Sequence, residues 1–122
     1  MHRFIIALAL VTSLAGCKQN ETCERGRQSL ARAYDSLRQA AAERKLFGTE
    51  PQRWSEIETK TDLLQSAFAT PQVTWSSAEK ARNDVQAKLS SISTTNETGL
   101  AVFRQTAQEV FAEQDRFAQK CR

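Results

Sequence analysis

The 122-residue chain carries 17 basic and 14 acidic side chains, a net charge of +3. That is the size of one modest domain, without the concentrated basic face that nucleic-acid binding usually needs. Its one histidine is His2 and its four glycines, at positions 16, 26, 48 and 99, stand isolated, which excludes from most of the chain the usual general base of Ser-His and Cys-His sites, the commonest zinc ligand and a glycine-rich phosphate loop.

The chain begins with a short basic stretch, His2-Arg3, followed by an unbroken apolar run from Phe4 to Val11 and a small-residue close at Leu14-Ala15-Gly16-Cys17. A basic start, an apolar run of about 7 to 15 residues and small residues at a cleavage point describe a secretory signal peptide, too short to span a bilayer. Leu14-Ala15-Gly16-Cys17 resembles the lipobox of bacterial lipoproteins. The resemblance covers residues 1–17 only. It implies diacylation of the Cys17 thiol (a palmitate-type anchor), removal of residues 1–16 and attachment to the cell envelope; an ordinary secretory signal with a chance cysteine is the alternative. Lys18, where an aspartate would mark retention in the inner membrane, resembles lipoproteins forwarded to the outer membrane, which implies a periplasm-facing outer-membrane location.

Residues 17–22 form the acylated cysteine and a polar tether, Lys18 to Thr22, reaching at most about 20 Å if extended. From 22 to 47 the positions Cys23, Leu30, Tyr34, Leu37 and Ala41 recur at helical spacing, ending at Gly48, and predict a first helix. Thr49-Glu50-Pro51-Gln52 fits a capping box with proline in the first turn. It opens a second helix over 50–69 with the stripe Trp54, Ile57, Thr61, Leu64 and Phe68, closed by Pro71. Ser76 with Glu79 makes another capping box, for a third helix over 77–92 through Ala78, Ala81, Val85, Leu89 and Ile92, the weakest contributor to a core. Thr94 with Glu97 starts a fourth, over 96–120. Its seam of Leu100, Phe103, Ala107, Val110, Gln114, Phe117 and Cys121 has the cleanest period and one polar member, Gln114. No run alternates at the period of a strand.

With Cys17 assigned to the anchor, Cys23 and Cys121 remain. In an oxidising envelope compartment a disulfide is the simplest reading of such a pair, two unpaired thiols being the alternative. Bridging requires Cα atoms within about 7 Å. The start of the first helix and the end of the last share one end of an up-down bundle only when the helix count is even. The expected fold is therefore all-α: an antiparallel up-down four-helix bundle over residues 23–122, closed by a disulfide between its first and last helices.

Such a bundle gathers Lys18, Arg25, Arg27, Lys120 and Arg122, with Trp75, at the tether end. These are candidates to face the membrane, or else solvated helix ends with Trp75 packed over the core. Leu46, Phe47 and Trp54 collect at the far end as a candidate partner-docking surface, with a plain core cap the favoured alternative. The carboxylate pairs Glu58 with Asp62 and Glu109 with Glu113 have the spacing for acid/base work or a hard cation, a spacing common on solvated faces. The expectation is a protein that is not an enzyme, with no cofactor, no metal, no small-molecule substrate and no nucleic-acid partner. Its role would be to bind or localise another envelope protein. In architecture alone it resembles the secretin pilotins, small outer-membrane lipoproteins of which some are disulfide-containing helical bundles that hold a partner helix in a groove; no binding residue carries over. A plasmid or phage exclusion or immunity lipoprotein and a structural envelope component are the alternatives.

Overall fold

A computed structural model describes the backbone of residues 2–92 and 98–122 and the side chains of residues 20–92 and 99–122. The fold is all-helical: α1 (His2–Phe47), α2 (Pro51–Ala69), α3 (Trp75–Ser91) and α4 (Thr98–Cys121), with no strand among the described residues. The capping box expected at Thr94 and Glu97 lies outside the described residues, as do the side chains of Cys17 and Lys18. Among the described residues, no helix is long and apolar enough to cross a membrane.

Each stripe is buried because its members return to one face every three or four residues. Leu30, Tyr34, Leu37 and Ala41 of α1 meet Trp54, Ile57, Leu64 and Phe68 of α2 in a single core. Ala78, Ala81, Val85 and Leu89 of α3 and Leu100, Phe103, Ala107, Val110 and Phe117 of α4 complete it. Removing one such large side chain from water contributes roughly 1.5 to 3 kcal/mol. Two polar groups inside are satisfied. The Tyr34 hydroxyl donates to the Gln114 amide oxygen, and the Thr61 hydroxyl donates to the Ile57 carbonyl at 2.9 Å. Burial also pushes the Tyr34 phenol well above its ordinary range, so the one tyrosine stays a neutral donor.

Helix α1 packs against α2 and α4, and α2 packs against α3. Ion pairs trace these contacts on the surface: Lys45 to Glu58 at 3.1 Å between α1 and α2, and Lys60 to Asp84 at 3.0 Å between α2 and α3. The fourth side is joined by side chains, Arg82 with Asp115 and Arg122 with Glu79. Two arginines close helix ends from a neighbouring helix. Arg27 of α1 donates to the Phe68 carbonyl at 2.6 Å, in the last turn of α2. Arg104 of α4 does the same for Leu89 at 2.7 Å, in the last turn of α3. Last-turn carbonyls have no partner inside their own helix and sit at the negative end of its dipole, so a cation there is doubly favourable.

Two local expectations are corrected, and residues 18–22 are seen to continue α1; no glycine or proline lies between Cys17 and Arg25, so nothing stops the helix from propagating. The five residues then advance about 7.5 Å along an axis. At the start of α2, the N-cap is Glu50 rather than Thr49, in the left-handed region at φ 55°. The Gly48 amide still closes α1 on the Arg44 carbonyl at 2.7 Å, leaving too short a connection for a wider turn. Helix α3 begins at Trp75 with Thr74 as N-cap, ahead of the expected Ser76. Stacking of the Trp75 ring on Phe117, at 5.7 Å between centroids, draws that residue into the helix, and Glu79 pairs with Arg122 instead of capping.

Candidate functional site

The seam between α1 and α4 differs from one end to the other. Where α1 ends and α4 begins, the facing residues are small: Ser36 and Ala40 on one helix, Gly99 and Thr106 on the other. They leave a groove of about 330 Å³ over Leu37 and Phe103, with Val102 and Arg44 on its walls. Gly99 lets the Arg44 guanidinium lie over the start of α4, where a Cβ would displace it. Ser36, Ala40, Glu43 and Phe47 follow one another at steps of four, three and four, so the groove's α1 wall leads directly to Phe47.

Phe47 is 83% exposed, Leu46 72% and Val102 58%. These three lie at the end of α1 and the start of α4. Of the expected docking residues, the structure brings Leu46 and Phe47 to the surface and removes Trp54, which is fully buried. The Trp54 ring meets Phe103 edge-on at 4.9 Å and lies under the Arg44 guanidinium at 5.9 Å. Its indole N–H finds no acceptor among the described residues, so packing holds the ring in place. Val102 escaped the sequence reading because it lies beside the Leu100–Phe103 seam rather than on it. A β-branched apolar residue off the stripe was the available signal.

At the opposite end, the sulfurs of Cys23 and Cys121 stand at disulfide distance, 2.06 Å apart with Cα atoms 5.7 Å apart. Phe68, Trp75 and Phe117 form an aromatic cluster next to them, with ring centroids 5.7 to 6.0 Å apart. Two expected membrane-facing residues are absorbed by this packing. Arg27 is only 6% exposed, held by the Phe68 carbonyl and by Glu24. That hydrogen bond keeps the Glu24 carboxyl below the usual carboxylate range. Trp75 is half-buried, its ring stacked on Phe117 and covered by the Arg122 guanidinium at 5.2 Å. Arg25, Lys120 and Arg122 are exposed.

The carboxylate pairs do not converge on a site. Glu58 pairs with Lys45 and Asp62 with Arg38, while Glu113 accepts the Ser29 hydroxyl at 3.1 Å and Glu109 is exposed. Among the described residues there is no cluster of three or more side chains able to hold a metal ion. A third depression, about 530 Å³ between α3 and α4, is walled by Gln86, Ser90, Gln108 and Arg104. Its floor of Leu89, Ala107 and Phe111 is buried in the core, as Leu37 and Phe103 are beneath the α1–α4 groove, but none of the exposed large apolar residues lines it. No protein-family model, curated protein or solved structure matches the chain.

Proposed function

We propose that this chain is a lipid-anchored, non-enzymatic accessory protein of the bacterial envelope, acylated at Cys17 and facing the periplasm from the outer membrane. In this reading its helical domain is an antiparallel up-down four-helix bundle, and it takes an amphipathic helix of another envelope protein at the end away from the anchor. The order of contacts supports the topology: Cys23 with Cys121 and Ser29 with Glu113 on α1 and α4, Arg27 with Phe68 and Lys45 with Glu58 on α1 and α2. The observation that carries the function is the groove over Leu37 and Phe103, with exposed Val102 on its wall and exposed Leu46 and Phe47 at the same end of α1. An apolar slot between two helices suits a third helix that presents apolar residues at i, i+3, i+4 and i+7.

Site-specific photocrosslinking in host membranes tests it. A crosslinker at Phe47 should give one discrete adduct that Val102→Asp abolishes, and Cys17→Ser should make the protein removable from membranes by high salt and lose the adduct. A crosslinker at Leu63, exposed on α2, should give none. Equal labelling at Phe47 and Leu63 would sink the reading.

A further inference from the structure

The cations of this protein are not treated alike. Arg38, Lys45, Arg53, Lys60 and Lys88 each stand within 3.1 Å of a carboxylate, on Asp35, Glu58, Glu50, Asp84 and Glu56 respectively. Arg25, Arg32, Lys80, Arg116 and Lys120 are exposed and have no carboxylate partner among the described residues. Of these, Arg25, Arg116 and Lys120 belong to the disulfide end of α1 and α4. Arg116 and Lys120, one turn apart, line one side of a cleft of about 180 Å³, with Thr22, Gly26 and Cys121 beside them and Phe117 beneath. Gly26 lies close against Phe117 here, and a Cβ on it would stand 3.1 Å from that ring. Arg25 follows Thr22 by three residues, which places it on the neighbouring flank of α1. Two carboxylates are near: Glu21 is exposed, and Glu113 enters the cleft with one oxygen taken by the Ser29 hydroxyl.

We infer that Arg25, Arg116 and Lys120 form a docking surface for the phosphate headgroups of an anionic phospholipid bilayer. The inference rests on the lipid-anchor reading for its geometry. Cys17 lies six residues before Cys23 on the same helix, so an acyl chain there holds this end within about 9 Å of the anchoring point along the axis. Unpaired guanidinium and ammonium groups at that distance complement phosphate oxygens, and each basic residue near an anionic surface strengthens binding by roughly five-fold. The paired cations of the other half have no such capacity to spare.

The test uses the full chain with Cys17→Ser, which carries no acyl group, in cosedimentation with vesicles. Residues 1–16 are common to every variant, so the readout is the difference between phosphatidylglycerol-containing and pure phosphatidylcholine vesicles. Binding should be tighter to the anionic vesicles and should weaken with salt. Arg25→Gln, Arg116→Gln and Lys120→Gln together should remove the difference, a loss of roughly 100-fold, with an unchanged helical circular dichroism spectrum. Arg25→Gln alone should lose about five-fold and decides the matter if the triple variant misfolds. Lys60→Gln with Lys88→Gln should change nothing, and inorganic phosphate should not compete. Equal binding to both vesicle types overturns the inference, as does an undiminished preference in the variants. Competition by phosphate overturns it too, by marking a free-anion site. None of these results touches the far-end groove, whose failure would appear in crosslinking at Phe47 instead.

Discussion

The same two helices, α1 and α4, are closed at one end and open at the other. At the disulfide end Cys23 faces Cys121, and Phe117 rests against Gly26 beneath Trp75; large rings fill the space that one missing side chain leaves. At the other end Ala40 and Gly99 line a groove with the Arg44 guanidinium lying over Gly99, and two nearby apolar residues, Phe47 and Val102, are exposed to solvent. Helix packing of this kind is set residue by residue: close packing follows where volumes match, and a groove follows where they do not. The difference leaves one end of this seam closely packed and the other with exposed apolar side chains.

The largest effect that would break this contrast is at the closed end. Cys23→Ala with Cys121→Ala opens a loop spanning a sequence separation of 98 residues, and the loop-entropy model gives a loss of about 4 to 5 kcal/mol. Urea denaturation with the helical signal as probe measures it. A loss below about 1 kcal/mol would mean that the aromatic cluster alone closes this end.

Next in size is Trp54→Ala. Trp54 stands under the open end and, being fully buried against Phe103, should lose about 3 to 5 kcal/mol on truncation. If stability barely changed, Trp54 would not be packed into the core against Phe103 as its burial indicates.

The stripes were legible in the sequence because burial imposes a period that needs no knowledge of the partner helix. Every position read onto them from Leu30 to Ala41 in α1 and from Leu100 to Phe117 in α4 is buried, Gln114 included. Phe111 was not legible: it lies one residue past Val110, off the seam, and packs toward Tyr34 and under Arg82. Charges were harder still. Arg27 reads as a surface cation, yet it is buried because the carbonyl of Phe68, 41 residues away, needs a donor. That need arises from where α2 ends in space. The N-cap at Glu50 and the helix start at Trp75 depended likewise on the path of a short turn and on an aromatic stack, neither of which a capping motif records. For the groove, the sequence offered Leu46 and Phe47 but not Val102 or the gap at Gly99, since a groove is defined by what two separate segments fail to fill.

The smallest effect sharpens the contrast most. Leu46→Ser with Phe47→Ser removes two large apolar side chains, but both are mostly in water already. Substitutions away from buried features usually stay within about 0.5 kcal/mol, so the denaturation midpoint should hardly move. Residues that stabilise nothing and expose apolar surface are kept in water at no gain to the fold. A stability loss comparable to that of Trp54→Ala would show instead that the two side chains fold back onto the core in solution, leaving the groove without its rim. An unchanged midpoint leaves both side chains without a part in the stability of the fold.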